Sequence, residues 1–337
     1  MEIREPERLT PVVGEADVVV VGSGPGGLSA AIAAARAGVS VILIERFGCF
    51  GGNITSVGVE GFAWYRHENT IEAGGLAFEY EQRAIESNAA VPESQSKSYE
   101  LDSEGFKVVA DNLVLKAGVR PMLHRAFCSP ILEGNEIRGV ITESKAGREA
   151  IMGKIIIDAT GDADVARRSG VTVFKNSKED MISASVMFHM SGVNKEEFMD
   201  EIKRDPQKYS DWSDKNWQVQ TSGKEDDMFS PFLRKPFEKA KDAGLIDSDL
   251  QTISGTWGAI HDSGELTYLN LVHLNGIDGT DPESLTKGEI EGRKAALEAI
   301  AALKEYMPGC SAGKLRNFGM TIGIRDTYKI DSEYNLS

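Results

Sequence analysis

Cysteine is scarce in this sequence, and basic residues are outnumbered by acidic ones. Only Cys49, Cys128 and Cys310 occur, far apart and without a CxxC pair, so neither a redox dithiol nor a zinc cluster is indicated. Lys and Arg number 37 against 52 Asp and Glu, and the formal net charge is −15. A surface of this charge argues against binding to nucleic acid phosphates, and no polybasic segment is present for anionic lipid.

Long uninterrupted hydrophobic segments are also missing. The N-terminal sequence MEIREPERLTPVVGEAD is charged and lacks the basic-then-apolar order of a signal peptide. The most apolar region, Val18 to Ile44, is interrupted by Pro25, Arg36 and several glycines, which is not typical of a membrane span. We therefore expect a soluble, cytoplasmic protein with reduced thiols, and no nucleic acid, membrane or metal as a partner.

The most informative segment is Asp17 to Arg46, DVVVVGSGPGGLSAAIAAARAGVSVILIER. Its apolar run Val18–Val21 predicts a buried strand, the Ala-rich part predicts a helix that ends at Gly38, and the run to Ile44 predicts a second strand. The order strand, glycines, helix, strand is that of a βαβ unit of a parallel sheet.

The glycine turn between the first strand and the helix, GSGPGG at residues 22–27, favours a dinucleotide site. Gly22 permits the tight turn, Gly24 lets the backbone approach a pyrophosphate, and Gly27 lets helix and strand pack closely. Glu45 closes the second strand, where a carboxylate can accept hydrogen bonds from a ribose. The alternative is a turn with no ligand, which accounts for neither the number of glycines nor the acid.

Two later loops are predicted at the same sheet edge. The first, FGCFGGNITSVGVEG, contains Gly51, Gly52 and Asn53 and is either a second cradle for the same ligand or a flexible loop. The second follows an apolar strand that ends at Ile157 and has the sequence DATGD. Its Asp162 could accept a hydrogen bond from a ligand hydroxyl or cap the short helix that follows.

The remaining chain predicts further elements on both sides of residue 171. Helical periodicity marks residues 72–88 and 103–117, and four short strands follow as an antiparallel excursion. After Val171 we expect strands in 181–192, 249–260 and 264–276, helices at 195–203 and 236–243, a surface excursion at 204–227, a helix opened by a capping box at 286–289, and a strand at 320–325.

Three motifs together resemble the FAD-dependent oxidoreductases of the glutathione-reductase-like superfamily: DVVVVGSGPGGLSAAIAAARAG, VILIERFGCFGGNITSVG and KIIIDATGDADVARRSG. LVHLNGIDGTDPESLTKGEIEGR and MTIGIRDTYKIDSEYNLS resemble a narrower bacterial and archaeal group related in fold to fumarate-reductase-type flavoproteins. The resemblance implies an α/β protein with a Rossmann-like FAD-binding domain at 1–170, in which a parallel sheet carries an antiparallel excursion. It implies an α+β substrate domain at 171–337.

The resemblance also implies FAD rather than NAD as the cofactor. The residues expected to contact it are Gly22, Ser23, Gly24, Pro25, Gly26, Gly27, Glu45, Arg46, Gly51, Gly52, Asn53, Ala126, Thr160, Gly161 and Asp162. By analogy the first turn holds the pyrophosphate, Glu45 the AMP ribose, and Gly51 with Gly52 the phosphate or ribityl side. The backbone near Ala126 would meet the adenine, and the loop at 160–162 would line the same pocket.

Flavin would exchange hydride with a small organic substrate at its N5 atom, and a nearby acid or base would handle the accompanying proton. The candidates for these roles are His189, His273 and Arg325. The arginine would also suit a carboxylate substrate, because a guanidinium can bind both carboxylate oxygens. Each has a structural alternative, because strand histidines are usually packed in the core and terminal arginines commonly form surface pairs.

Relatives in this family usually continue past the last motif into a segment that closes the flavin pocket, whereas this sequence stops at Ser337. We therefore expect a loosely held flavin unless a second copy or a partner chain completes the site. Two alternatives to a small-molecule oxidoreductase remain open. One is a protein that binds NAD or an ADP moiety without flavin, as thiazole-synthase-like proteins do, and the other is a non-catalytic subunit.

Overall fold

The fold of residues 2–4, 6–61, 74–92, 99–205 and 232–333 is described here from a computed structural model. The strands are β1 Val12–Val21, β2 Val41–Ile44, β3 Ala90–Pro92, β4 Tyr99–Leu101, β5 Arg120–Met122, β6 Ala126–Glu133, β7 Glu136–Ser144, β8 Gly147–Asp158, β9 Val173–Phe174, β10 Ala184–Ser185, β11 Phe188–Ser191, β12 Phe232–Leu233, β13 Ile253–Thr256, β14 Leu266–Leu274, β15 Lys314–Phe318 and β16 Lys329–Ile330. The helices are α1 Pro25–Arg36, α2 Leu76–Glu86, α3 Ser103–Lys116, α4 Asp164–Arg168, α5 Lys195–Arg204, α6 Lys235–Asp242 and α7 Pro282–Tyr306, with a π-helical turn at Asn53–Val57. The first residues of the predicted helix at 72–88 and nearly all of the predicted excursion at 204–227 lie outside the described residues.

The chain divides into two compact units, and each is discontinuous in sequence. The first unit contains residues 1–52, 110–174 and 328–337, and the second contains 53–109 and 175–327. A single boundary at residue 170 does not describe this division. The last described residues belong to the first unit because Lys329 of β16 pairs with Phe174 of β9.

The first unit is built on a six-stranded sheet in the order β5-β2-β1-β8-β7-β6. The four strands β5, β2, β1 and β8 are parallel, while β7 and β6 run antiparallel as a meander from β8. This is the predicted α/β architecture with its antiparallel excursion, and the prediction is confirmed. The predicted first strand is too short, because β1 begins at Val12, where it pairs with Ala150 of β8.

The hydrophobic runs of the sequence are continuous because both faces of this sheet are covered. Val19 and Val20 of β1 are fully buried, as are Leu43 of β2 and Leu28 and Ile32 of α1. Parallel strands covered on both sides need apolar residues at successive positions rather than at alternate ones. The βαβ unit thus follows directly from local sequence.

The second unit centres on an antiparallel sheet in the order β12-β13-β14-β11-β15, with the short strand β10 also paired to β14. Its core combines this sheet with α5, α6 and α7, including Phe188, Phe237 and Trp257. Phe198 meets Trp257 edge to face at a centroid distance of 5.1 Å. This unit is α+β, as predicted.

Several detailed predictions for the second unit are wrong. The helix assigned to a capping box at 286–289 begins at Pro282, because Asp281 is the N-cap and accepts a hydrogen bond from Glu283 N. No strand covers 320–325, where the described chain makes only an isolated bridge between Gly323 and Ser185. The expected strand in 181–192 is divided into β10 and β11. Among the described residues, no helix is both long and apolar enough to cross a membrane.

Candidate functional site

The glycine turn after β1 forms through close backbone contacts at two of its glycines. Gly22 has φ of +96°, and a Cβ there would lie 2.3 Å from the Ala159 carbonyl oxygen. A Cβ on Gly27 would lie 2.0 Å from the carbonyl oxygen of Gly22. These positions require glycine so that β1, β8 and α1 can approach one another.

Gly24 and Gly26 differ from these two glycines, because a Cβ on either would meet no protein atom within 4 Å. Gly24 is the N-cap of α1, where no side chain caps the helix and no acidic residue lies in the first turn. The exposed Pro25 occupies the first helical position, as is common. Pro25 has no N–H, and the N–H groups of the next helical residues belong to a helix N-terminus without a side-chain cap, an arrangement that suits an anion.

Ser23 and Glu45 form a buried polar pair beside this turn. Glu45 Oε2 accepts hydrogen bonds from Ser23 N at 3.0 Å and Ser23 Oγ at 2.6 Å. Its Oε1 accepts from Phe47 N at 2.9 Å. Both donors of Ser23 are thus directed at Glu45 rather than at a phosphate. A carboxylate offers about four acceptor positions, so one remains that a ribose hydroxyl could use.

The loop after β8 lies directly beside the glycine turn. Ala159 N donates to Val21 O at 2.9 Å, which places residues 160–162 at the carboxyl edge shared by β1 and β2. Thr160 Oγ1 donates to Asp158 Oδ1 at 2.7 Å and accepts from Asp164 N at 3.1 Å. The N-cap of α4 is Ala163, not Asp162, and Asp158 Oδ2 accepts from Ala166 N at 2.9 Å. A Cβ on Gly161 would meet nothing within 4 Å, so this loop also leaves bare backbone at the sheet edge.

The second glycine loop packs on the first. Gly51 N donates to Ser23 O at 2.9 Å, and a Cβ on Gly52 would lie 2.6 Å from the Cα atom of Gly24. The alternative of an independent flexible loop therefore does not describe this segment. Asn53 begins the second unit, where its carbonyl accepts from Gly58 N at 3.1 Å.

Ala126 and Arg46 lie near the end of β2 in the first unit. Ala126 begins β6 and is exposed, and its neighbour Arg125 donates its backbone N–H to Glu45 O at 2.9 Å. Arg46 is also exposed, with its guanidinium 4.7 Å from the centroid of the Phe47 ring. The structure therefore brings the predicted residues of the first unit to one edge of the parallel sheet.

The three candidate catalytic residues occupy different surroundings in the second unit. Arg325 is exposed, and the strand expected at 320–325, which would have ended at this residue, is absent from the described chain. His273 is packed in the sheet opposite Ser185, whose Oγ lies 3.5 Å from its Nδ1. His189 is buried on β11, and its Nε2 lies 3.2 Å from Glu60 Oε2.

Only His189 of these three lines a cavity described in this unit. An open cavity of about 380 Å³ is lined by Thr55, Gly58, Ser103, Glu104, Lys107, His189, Arg316, Asn317, Phe318, Gly319 and Met320. A neighbouring space with room for about one water molecule also touches His189, together with Glu60 and His261. His189 thus lies between a ligand-sized cavity and a water-sized one.

A family model described as FAD dependent oxidoreductase matches residues 17–337. The chain belongs to the FAD-dependent oxidoreductase family. Its cofactor is FAD, and the dinucleotide site predicted from the glycine turn agrees with that assignment.

The chain is also similar to known proteins over part or most of its length. Thiamine thiazole synthase of Saccharolobus islandicus (strain L.S.2.15) is 33% identical over 162 residues, which are 45% of this chain and 57% of the relative. The match thus covers little more than half the length of this curated relative.

Two solved structures share the fold. A geranylgeranyl bacteriochlorophyll reductase-like protein of Thermoplasma acidophilum has a TM-score of 0.56 and 16% identity, covering 92% of this chain and 66% of that one. A myxobacterial chondrochloren halogenase, described as FAD-dependent, has a TM-score of 0.56 and 13% identity, covering 96% and 66%.

The residues at the sheet edge of this flavoprotein fit the ADP half of FAD. Open space above Gly24 and Gly161, an uncapped helix N-terminus and an acidic side chain with spare acceptor capacity are the features such a group needs.

Sequence reasoning missed Glu60 and Asp158. Glu60 stands in the segment VGVEGF, where a lone acid among small and apolar residues was the available signal of a buried carboxylate.

Proposed function

We propose that this chain is an enzyme that transfers hydride between a small organic substrate and FAD. The observation that carries the proposal is the glycine turn at residues 22–27, whose open positions would leave room for a pyrophosphate over the N-terminus of α1. The bound flavin would supply hydride exchange at its N5 atom. The family assignment supports a redox role but leaves the reaction itself to be tested.

The chain's own residues have separate tasks in this proposal. The backbone N–H groups at the start of α1 would bind the pyrophosphate, with Gly51 and Gly52 closing over the same turn. Glu45 would accept a hydrogen bond from the AMP ribose while Ser23 holds its carboxylate in place. The loop at Thr160–Asp162 and the backbone at Ala126 would complete the surroundings of the nucleotide.

The proposal is tested by identifying the nucleotide carried by the purified protein. We expect denaturation to release FAD in about equimolar amount, or the apoprotein to take up added FAD with the absorbance of a bound flavin. Reduction of that flavin by a candidate substrate without oxygen would establish that the substrate is the electron donor. Release of NAD or an ADP derivative, together with failure to bind added FAD, would contradict the proposal.

A further inference from the structure

The second unit contains a buried acid–histidine pair that the nucleotide site does not use. Glu60 and His189 have side chains only 2% and 5% exposed, and Glu60 Oε2 lies 3.2 Å from His189 Nε2. The other carboxylate oxygen of Glu60 accepts from Ser103 N at 3.0 Å. Glu60 is therefore fixed at both oxygens, and it fixes the ring of His189 in turn.

This contact determines which nitrogen of His189 carries the proton. An ionised carboxylate can only accept hydrogen bonds, so Nε2 is the donor to Glu60. In a neutral imidazole the other nitrogen, Nδ1, is then an acceptor with a free lone pair.

Nδ1 of His189 is buried and has no hydrogen-bond partner among the described residues. Buried polar atoms are nearly always paired, so an unpaired one beside a cavity indicates a group that comes from outside the chain. Because Nδ1 is an acceptor, that group must be a donor, either a water molecule or the hydroxyl of a ligand.

The cavity that His189 lines also carries two cationic side chains. Arg316 has its Nε 2.9 Å from Glu265 Oε1, and a guanidinium offers five N–H donors in all. Lys107 has its Nζ 2.7 Å from Glu104 Oε1. Cationic groups with several N–H donors bind carboxylates well. The cavity volume of about 380 Å³ suits a small ligand.

We propose that this cavity binds a small hydroxy acid, with Arg316 and Lys107 receiving its carboxylate and His189 Nδ1 receiving its hydroxyl proton. Glu60 is the positioning residue that keeps Nδ1 unprotonated.

The first experiment tests the acid–histidine pair without requiring flavin. Long-range proton–nitrogen NMR spectra of the ¹⁵N-histidine-labelled full chain distinguish protonated from unprotonated ring nitrogens, and His189→Asn assigns the signal. We expect Nδ1 unprotonated and Nε2 protonated at neutral pH. Glu60→Gln presents an amide that can donate to Nε2, and we expect it to reverse the tautomer.

Glu100→Gln is the control, because Glu100 is equally buried but accepts from Thr267 Oγ1 rather than from His189. A protonated Nδ1 in the wild type, or an unchanged tautomer in Glu60→Gln, would overturn the assignment.

The second experiment tests the ligand class with glycolate and with acetate, which lacks the hydroxyl. We expect glycolate to shift the Nδ1 resonance at a concentration about tenfold lower than acetate, the effect of one hydrogen bond. Arg316→Met should weaken glycolate binding by at least about tenfold while leaving the His189 tautomer unchanged. Equal responses to both probes, or no response to either, would exclude a hydroxy acid as the ligand. Loss of FAD binding alone would contradict the proposed function and leave these spectra interpretable.

Discussion

Ser23 donates two hydrogen bonds to one oxygen of Glu45, one from its backbone N–H at 3.0 Å and one from its hydroxyl at 2.6 Å. Both residues are buried, and the pair ties the glycine turn after β1 to the end of β2. Ser23 of the turn thus holds in place the side chain of Glu45, which would face a ribose.

Removing this hydroxyl should destabilise the first unit. We expect Ser23→Ala to lower the free energy of unfolding by about 1.5–3 kcal/mol, because a buried carboxylate loses a charge-assisted hydrogen bond. Ser40→Ala is the matched control, since Ser40 Oγ donates to Asp17 Oδ2 at 2.6 Å on the exposed side of the same unit. Urea unfolding followed by circular dichroism measures both variants. An equal loss in the two would show that burial of the Glu45 pair contributes nothing.

Local sequence determines where the glycine turn and its two neighbouring elements lie in the fold. The glycine turn, α1 and β2 are consecutive in the chain, and the distances that require glycine at 22 and 27 arise within one βαβ unit. The loop at Thr160 could be added because β8 is parallel to β1, and parallel strands end at a common edge.

The acid–histidine pair could not be predicted in this way. Glu60 lies beside the π-helical turn and His189 on β11, so only tertiary packing of distant segments brings them together. Helical periodicity at 103–117 likewise does not show which side of α3 is buried. Val109 and Leu113 face the core, whereas Val108 and Leu115 are each 61% exposed.

The three cysteines should differ sharply in reactivity. Cys310 is fully buried, and burial raises the pKa of its thiol to about 12. Cys49 and Cys128 are half-buried. At pH 8 the thiolate fraction of Cys310 is about a thousandfold below that of an ordinary thiol, so we expect two thiols to react with an aromatic disulfide reagent in the native protein and three after unfolding. Cys310→Ser should leave the native count at two. Three fast thiols in the native wild type would contradict the prediction.

Asp278 should make the second unit sensitive to acid. Burial favours a higher pKa for this carboxyl, but hydrogen bonds from Lys175 Nζ, Thr280 Oγ1 and Thr280 N outweigh it and lower the pKa to about 2. A carboxyl with a depressed pKa stabilises the fold above its unfolded pKa of 3.8, and that stabilisation is lost as the pH falls toward 2.

The acid effect can be isolated with Asp278→Asn, whose side chain does not titrate. The difference in free energy of unfolding between wild type and variant should shrink by at most about 2 kcal/mol between pH 5 and pH 2, because solvent screens part of the interaction. Lys175→Met should show a smaller change over the same range. Parallel stability curves for wild type and Asp278→Asn would show that the carboxyl has an ordinary pKa.

Two alanine substitutions in the glycine turn should separate folding from flavin binding. A Cβ on Gly27 would lie 2.0 Å from Gly22 O and 3.0 Å from Ala159 Cβ, so Gly27→Ala must push α1 away from the sheet. We expect a loss of about 3 kcal/mol or more in the free energy of unfolding of the apoprotein. Gly24 has φ of −59°, which alanine adopts readily, and its Cβ would enter open space.

Gly24→Ala should therefore change the stability of the apoprotein by less than about 1 kcal/mol. The added methyl group would nevertheless occupy the space where a pyrophosphate must approach the backbone, and we expect FAD affinity to fall by at least about tenfold. Urea unfolding of the apoproteins and titration with FAD, followed by flavin fluorescence, measure the two effects separately. If Gly24→Ala bound FAD as tightly as the wild type, the pyrophosphate would not lie over this turn. If it unfolded as readily as Gly27→Ala, the open space at Gly24 would not exist in the folded protein.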